Sequence, residues 1–214
     1  MTLLFKESPF IAAVSAGSII LAAYNNADYK IQGILILLFL MLLYFYRYEE
    51  FIPVNVTDNM ILSPCEGKII KICQKIPTHT YISIFLSPLN RHTQIYPVNG
   101  TVIKREYDLT GRFNIVMNIN KSRKNEKKIH YINMTDGTLI KVTQLAGLLP
   151  RMIVSSDDVP MKVYAGQYMG MMKFGSRVDI LIPNTNITGK KLLLHIKEEQ
   201  NIKIGDLLGE YTNG

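Results

Sequence analysis

Apolar positions follow two different patterns along the chain. Residues 10–24 and 31–46 are almost continuously apolar and are separated by a short polar stretch. Runs that are apolar on every face of a helix belong to helices that are buried or lie in a membrane. After residue 51, short alternating runs appear between turn signals, which is typical of β strands. The sequence therefore predicts a helical hairpin within residues 1–50 and a β-rich domain in residues 51–214.

The two apolar runs predict a retained membrane anchor. Each has 15 or 16 residues, fewer than the ~20 that cross a bilayer upright, so two shallow spans and one re-entrant hairpin both stay open. Both ends then lie on one side of the membrane, and Lys6 and Arg47 favour the cytoplasmic side. A cleaved signal peptide is less favoured, because a second apolar run follows at once without a small-residue cleavage site. A buried hairpin of a soluble protein is the other alternative.

The β-rich domain is predicted to contain at least eight strands. Turn dipeptides at Asn99-Gly100 and Asp136-Gly137 suit tight hairpins. Residues 120–128 hold five basic residues and no apolar one, and are predicted to form a loop. Short strands at this spacing are typical of a mainly β fold, here an antiparallel sandwich or barrel-like domain with few helices. The predicted strands span residues 68–73, 81–86, 100–106, 114–118, 128–134, 138–145, 176–182 and 192–196.

Charge and composition narrow the choice of partner. The 214 residues carry a net charge of +7, and after residue 50 there are 21 Lys/Arg against 13 Asp/Glu, a surplus of eight. Such a surplus is typical of a protein that meets an anionic surface. The chain has no Trp and no helix-turn-helix pattern, so a membrane is favoured over a nucleic acid. We expect a membrane partner and no nucleic acid.

The spacing of cysteines and histidines indicates no metal centre. Cys65 and Cys73 lie eight residues apart, without a CxxC partner or a His at zinc spacing. Neither a disulfide nor a metal site is therefore expected, and both cysteines are predicted to be small apolar residues of strands. His79 is predicted to lie in a turn, and His130 and His195 to be packing or surface groups.

The stretch at residues 174–179 reads Phe-Gly-Ser-Arg-Val-Asp and carries the most informative chemistry. It resembles the maturation site of the short, archaeal-like type of the phosphatidylserine decarboxylase family. Counting this stretch, five segments of the chain are similar to blocks of that family and occur in the family's order. The other four are residues 63–69, 85–100, 125–126, and 144–147 with 151–154 after it.

The resemblance implies a proenzyme that cuts itself between Gly175 and Ser176 into fragments 1–175 and 176–214, which stay associated. The Ser176 hydroxyl would attack the carbonyl of Gly175, which a glycine leaves uncrowded. Elimination across Ser176 would then leave a pyruvoyl group at the new N-terminus. This covalent cofactor would form a Schiff base with the amine of a serine head group and accept electrons as carbon dioxide leaves. The implied activity is decarboxylation of phosphatidylserine to phosphatidylethanolamine.

Three residues form the catalytic set that the resemblance implies. His92 is expected to act as the base during cleavage and as the acid after decarboxylation, since an imidazole exchanges protons near neutral pH. By motif position Glu66 would orient His92 toward Ser176, as the carboxylate does in a hydrolase triad. Glu66 stands where the family usually has an Asp, so its carboxylate reaches one methylene further.

Binding groups and alternatives complete the sequence-based picture. Arg151, Lys173 and Arg177 are expected to neutralise the lipid phosphate, from their charge and their neighbourhood. A lipoyl- or biotinyl-like carrier modified on Lys173 is one alternative, because Met-Met-Lys at 171–173 partly matches the Met-Lys-Met of such domains. An uncleaved, catalytically silent membrane scaffold is another. The lipid could also be archaetidylserine or another seryl lipid, and a homodimer stays open.

Overall fold

The protein consists of two compact units, Met1–Glu50 and Phe51–Gly214. A computed structural model of the chain provides the structure. It describes residues 2–3, 9–26, 28–48, 51, 53, 55–76, 78–109, 111, 114–122, 124–147, 153–172 and 176–213.

The first unit contains the predicted pair of helices, α1 (Pro9–Tyr24) and α2 (Tyr29–Phe45). Asp28 caps α2, because its side chain accepts a hydrogen bond from the backbone N–H of Lys30 at 2.7 Å. Two short strands, β1 (Thr2–Leu3) and β2 (Arg47–Tyr48), pair antiparallel beside the helices. The two predicted helices are therefore present. In the part of the chain described, no helix is both long enough and apolar enough to cross a bilayer.

The second unit is built on an open, eight-stranded antiparallel sheet with edges at β11 and β15. It is mainly antiparallel β structure with few helices, as predicted, but the barrel-like alternative is wrong because the sheet does not close. Its strands, in spatial order, are β11 (Met161–Val163), β7 (Gly100–Asp108), β8 (Lys127–Met134), β9 (Leu139–Leu145), β13 (Ser176–Pro183), β5 (His79–Leu86), β4 (Gly67–Ile76) and β15 (Asn201–Ile202).

Two smaller three-stranded sheets share a hydrophobic core with the large sheet. One consists of β10 (Ile153–Ser155), β12 (Tyr168–Met172) and β6 (Thr93–Ile95), and the other of β14 (Lys191–Leu194), β16 (Leu207–Thr212) and β3 (Met60–Leu62). Alternation directs one face of the large sheet into the core. In β8, for example, every second residue is buried: Lys128, His130, Ile132 and Met134.

Most of the predicted strands are present within a few residues of their predicted bounds. The turn at Asp136-Gly137 is confirmed: Gly137 has φ +89°, and Met134 N donates to the Thr138 carbonyl at 2.8 Å across the hairpin. Asn99-Gly100 makes no such hairpin, because the strands on either side belong to different sheets. The strand predicted at 114–118 is wrong, since this segment turns into a short helix, α3 (Ile119–Ser122).

The loop predicted at 120–128 is also wrong in part. Its first residues complete α3, and its last residues begin β8. Asn125 fixes the stretch between them, because its side-chain amide donates to the carbonyls of Asn114 at 2.8 Å and Ala146 at 2.9 Å. The run of basic residues therefore belongs to ordered elements of the domain.

Candidate active site

Ser176 is the first residue of β13, a central strand of the large sheet. It pairs with Leu86 at the end of β5 and is fully buried. Its Oγ atom is buried and has no hydrogen-bond partner, an arrangement that costs stability in an ordinary core. Gly175, the other half of the predicted cleavage site, lies outside the described residues, as do Lys173 and Arg151.

His92 lies directly before β6 and is also fully buried. Its Nδ1 atom is 2.8 Å from the backbone carbonyl of Asn90. A carbonyl oxygen only accepts, so Nδ1 must carry the proton in this contact. In the neutral imidazole, Nε2 therefore keeps the lone pair that a general base needs.

Two ties hold His92 and Ser176 at the same end of the domain. The first is along the chain: the N–H of Met172, four residues before Ser176, donates to the His92 carbonyl at 3.0 Å. The second runs between layers: Gln144 pairs with Val178 of β13, and its Nε2 donates to Gln94 Oε1 at 2.9 Å. Gln94 is two residues after His92, and Val178 is two residues after Ser176. The structure thus brings the two predicted residues into one region.

Glu66 occupies a different position from the one expected for a triad. Its Oε1 accepts a hydrogen bond from Asn90 Nδ2 at 2.8 Å, and its Oε2 lies 3.6 Å from Arg91 Nε. The described hydrogen bonds include none between Glu66 and His92. The imidazole Nδ1 instead donates to the Asn90 carbonyl, so Glu66 is connected to His92 through Asn90. The extra methylene of Glu, compared with Asp, carries the carboxylate to the loop side chain.

The segment that carries Glu66 is held by close backbone contacts. A Cβ atom on Gly67 would lie 2.3 Å from the Phe85 carbonyl oxygen, so only glycine allows β4 to approach β5 this closely. Ser63 Oγ donates to the Cys65 carbonyl at 2.7 Å, and Ile95 N donates to the Pro64 carbonyl at 2.9 Å. The segment is thereby attached to β6, the strand that follows His92.

Cys65, in the same segment, is a packing residue of the core. Its side chain is fully buried. Burial, together with the neighbouring Glu66 carboxylate, raises the pKa of the Cys65 thiol well above its ordinary value. The thiol therefore stays protonated and is a poor nucleophile.

Arg177 does not have the role that the sequence predicted. Its guanidinium is fully buried and forms a bidentate ion pair with Asp179, at 2.8 Å from Nε and 2.9 Å from Nη2. Its Nη1 donates to the Val116 carbonyl at 2.7 Å and to Ser122 Oγ. Alternation along β13 directs Arg177 to the face opposite Ser176. Its charge is used to hold the start of β13 against the α3 segment, and the assignment to a lipid phosphate is corrected.

A directed chain of hydrogen bonds leads to His92 from strands β7, β8 and β9 of the large sheet. Arg105 Nε donates to His130 Nδ1 at 3.2 Å, which leaves His130 Nε2 to donate to Gln144 Oε1 at 2.9 Å. Gln144 then donates to Gln94, and Gln94 Nε2 donates to the His92 carbonyl. Each member donates in the same direction, an arrangement that strengthens the individual bonds.

His130 is thus part of a polar network, more than the packing group that was predicted. Burial lowers the pKa of His130 to about 4, and the nearby cations Arg105 and Lys128 lower it further, against the raising effect of the Gln144 hydrogen bond. The ring is therefore neutral near pH 7. His79 contacts Thr78 at the start of β5, whereas Ser176 pairs with Leu86 at the other end of that strand. His195 contacts Glu210 in an exposed position.

Asn90, Gln94 and Gln144 were not among the predicted site residues. Asn90 lies two residues before His92 in a turn, and an Asn at such a position is a usable signal because its side chain often fixes turns. Gln94 and Gln144 carry no comparable signal, since they are 50 residues apart and only the folded sheets bring them together.

Comparison with known proteins gives the family of this chain. The family model for phosphatidylserine decarboxylase matches residues 38–210. A phosphatidylserine decarboxylase proenzyme of Wolbachia sp. subsp. Brugia malayi is 38% identical over 155 residues, which are 67% of this chain and 66% of the relative. The proenzyme of Bacteroides fragilis is 32% identical over 175 residues, 76% of each chain. That of Rickettsia rickettsii is 30% identical over 184 residues, 81% of this chain and 77% of the relative. No solved structure matches the chain.

These matches show that the protein is an enzyme of the decarboxylase class. The chain belongs to the phosphatidylserine decarboxylase family. It spans about two thirds of the Wolbachia relative's length and about three quarters of the lengths of the Bacteroides and Rickettsia relatives.

Proposed function

We propose that the chain is a proenzyme that cuts itself between Gly175 and Ser176 and then decarboxylates phosphatidylserine to phosphatidylethanolamine. The observation that carries this proposal is the buried Ser176 hydroxyl without a hydrogen-bond partner, at the first position of β13 and tied to the region of His92. The names of the relatives, which are phosphatidylserine decarboxylase proenzymes, support the substrate and the processing.

The cleavage step uses groups of the chain alone. Ser176 Oγ attacks the carbonyl carbon of Gly175 while His92 Nε2 takes the hydroxyl proton and delivers it to the departing Ser176 nitrogen, so that an ester replaces the peptide bond. Loss of the Ser176 Cα proton then breaks the Cβ–Oγ bond and releases residue 175 as a carboxylate. Water converts the remaining dehydroalanine into a pyruvoyl group and ammonia.

The residues that surround Ser176 fit such a group. The first position of β13 is buried, and the strand pairs with β5 on one side and with β9 on the other. A new N-terminus there would therefore be fixed and shielded from water. A pyruvoyl group supplies a keto carbon that withdraws electrons as carbon dioxide leaves. His92 would hold the proton that replaces the lost carboxylate. Arg151 and Lys173 keep their predicted role at the lipid phosphate within this proposal.

The two fragments would stay together after the cut. Residues 176–214 supply β13, which pairs with β5 and β9, and also β15 and β16, which pair with β4 and β3. All four partner strands belong to the larger fragment. Breaking one peptide bond removes none of these ladders.

We also propose that the helical hairpin of residues 1–50 attaches the enzyme to the membrane by shallow insertion, with the β domain on the cytoplasmic side. Apolar side chains are exposed on both helices, including Ile20, Leu21 and Leu37, which are 62–69% exposed. Such surfaces are unfavourable in water and favourable at a lipid interface. In vesicle flotation the full chain should rise with the lipid; recovery of the full chain in the lipid-free fraction would contradict the attachment.

Mass spectrometry of the expressed full chain tests the cleavage. The wild type should give two fragments, the smaller covering the 39 residues 176–214 and beginning with a pyruvoyl group. Ser176→Ala should give one intact chain and release no carbon dioxide from phosphatidylserine. Ser18→Ala is the control, because the Ser18 hydroxyl donates within its own helix, to the Ser15 carbonyl at 2.8 Å. An uncut wild type under conditions in which a relative matures would refute the proposal.

A further inference from the structure

Glu126 is a buried carboxylate that the proposed mechanism does not use. Its side chain is 1% exposed. Oε1 accepts a hydrogen bond from the Tyr107 hydroxyl at 2.6 Å, whereas Oε2 is buried and has no hydrogen-bond partner. A carboxylate oxygen in this state is costly to bury. An unsatisfied acceptor of this kind is therefore a candidate contact for a ligand that carries donors.

The register of the large sheet places Glu126 in the same row as Ser176. Lys127 pairs with Leu145, and Leu145 pairs with Arg177. One residue further along, Ala146 N donates to the Glu126 carbonyl at 2.9 Å, so that Glu126, Ala146 and Ser176 are neighbours across three strands. Alternation turns all three to the core side of the sheet. Two strand spacings separate Glu126 from Ser176, which is on the order of 10 Å between their Cα atoms.

The facing layer forms a matching row. The backbone of Ile153 in β10 lies close enough to the Tyr107 hydroxyl to act on its pKa, in the lowering direction. Ile153 pairs with Met172 in β12, and Met172 N donates to the His92 carbonyl. Glu126 therefore lies at one end of this double row, while His92 and Ser176 lie at the other. The carboxylate and the proposed reacting group therefore lie on the core face at the same end of the large sheet.

The described ion pairs include none with Glu126. Burial, and then the hydrogen bond to Glu126, raises the pKa of Tyr107 to about 12, so the phenol stays a neutral donor to Oε1. The nearest lysine on the core side of β8, Lys128, contacts Asp157 Oδ1 at 2.6 Å and the carbonyls of Ser155 and Ser156 at 3.0 and 3.2 Å. Its charge is thus balanced by Asp157. Lys127, next to Glu126 in the sequence, pairs with Asp108 at 3.6 Å.

We infer that Glu126 Oε2 binds the primary ammonium group of the seryl lipid and so holds the amine beside the reacting group at residue 176. This inference rests on the proposed function and adds a residue that recognises the head group. A carboxylate is the acceptor that an ammonium group prefers, and a charge-assisted hydrogen bond in a buried site is stronger than one in water. The ligand class is a phospholipid head group that carries a free amine.

Binding of short-chain lipids to the matured protein tests the inference. The probes are dihexanoyl phosphatidylethanolamine, which carries the amine, and dihexanoyl phosphatidic acid, which lacks it. Glu126→Gln keeps the shape and an acceptor for the Tyr107 hydroxyl but loses the charge. Glu106→Gln is the matched control, since Glu106 is half-exposed in β7 and pairs with Lys104 at 2.6 Å.

Glu126→Gln should mature into two fragments as the wild type does and should keep the melting temperature of the Glu106→Gln control. Its dissociation constant for the ethanolamine lipid should rise by about tenfold or more, with that for phosphatidic acid unchanged. Equal ethanolamine-lipid binding by both variants overturns the inference and leaves the proposed function standing. A block of cleavage in Glu126→Gln also overturns it, because the carboxylate would then act in maturation. A wild type that neither matures nor decarboxylates removes the proposed function and this inference together.

Discussion

Asn90 connects two side chains that were expected to touch directly. Its amide donates to Glu66, and its carbonyl accepts from His92 Nδ1. Its Oδ1 also accepts from Ser87 N at 2.8 Å, so one side chain fixes the turn and the carboxylate. The orientation of the imidazole thus depends on the loop conformation as much as on the charge of Glu66.

This arrangement predicts an order of effects on self-cleavage. Asn90→Ala should slow the appearance of the 176–214 fragment by about tenfold to a hundredfold, because the loop that orients His92 loses two side-chain contacts. Glu66→Gln should slow it less, since the amide oxygen of Gln can still accept from Asn90. Pulse-chase electrophoresis measures both rates. The reverse order, with Glu66→Gln inactive and Asn90→Ala normal, would indicate a direct contact between Glu66 and His92.

The lowered pKa of His130 makes the free energy of unfolding depend on pH. Its folded pKa of about 4 lies below the usual unfolded value of about 6.5, so the unfolded chain binds the proton first as the pH falls. The stability that neutral His130 contributes is therefore complete above about pH 6.5 and is lost as the pH falls toward 4. About 2 kcal/mol of this contribution should disappear between pH 7 and pH 5.

Urea unfolding at the two pH values measures this loss, in the uncleaved Ser176→Ala background so that a single chain unfolds. His130→Gln should show a smaller decrease between pH 7 and pH 5, because Gln does not titrate. If both chains lose the same stability, the imidazole is not the group responsible.

At the scale of elements, β13 is fixed by an ion pair immediately after the proposed cut. Arg177 and Asp179 project from the face opposite Ser176, and Ser83 Oγ donates to Asp179 Oδ1 at 2.7 Å. The α3 segment covers this face through Val116 and Ser122. The strand that begins with Ser176 is thereby held from both of its faces.

Removing one partner of this pair should be worse than removing both. Arg177→Met leaves Asp179 charged and buried, and should lower the free energy of unfolding by about 3–5 kcal/mol. The double variant Arg177→Met/Asp179→Leu should recover most of the loss, because no uncompensated charge remains. Urea unfolding in the Ser176→Ala background compares the two. A double variant as unstable as the single one would show that the contacts to Val116 and Ser122, and not the charge, carry the stability.

Long alternating strands were predictable from the sequence, and short or irregular elements were not. Residues in β8 and β9 alternate clearly between buried and more exposed positions, so the period of two is visible. The segment at 114–118 has apolar residues too, but Ile115 and Met117 are 63% and 59% exposed. Asn118 accepts from Lys121 N at 3.1 Å and starts α3, a local capping effect that competes with strand formation. Three-residue strands such as β6 and β10 are too short to show any period.

Some residues of the candidate site were also predictable from the sequence, and others were not. Ser176 and His92 could be proposed from motif resemblance, because each lies in a recognisable block of sequence. The chain from Arg105 through His130 and Gln144 to Gln94 could not be proposed, because its members lie on three strands of the large sheet and on β6, and meet only when the strands pair and the sheets pack. The contact between His92 and Asn90 is local, within one turn, and an Asn at that position was a usable signal.

At the scale of the whole molecule, both proposed fragments contribute strands to the β domain of residues 51–214. β13 makes eight residue pairs with β5 and five with β9, so the smaller fragment occupies the middle of the large sheet. Removal of this fragment would expose the buried apolar side chains of both neighbouring strands, β5 and β9, to water.

We therefore expect the 39-residue fragment to elute with the larger fragment in size-exclusion chromatography and to separate only in denaturant. The mature protein, analysed by mass spectrometry under native and denaturing conditions, provides the measurement. Free small fragment in the native sample would contradict the sheet pairing described for β13.

The burial of the Ser176 hydroxyl has a consequence for when the reactive group arises. Under the proposed mechanism, an extended, newly made chain lacks the paired strand β13 that would position this oxygen for attack, so cleavage waits until the domain has folded. Each molecule would therefore acquire its reactive ketone only after it has folded correctly. Misfolded copies would stay whole, and the ratio of cut to uncut chains would report folding yield in the cell.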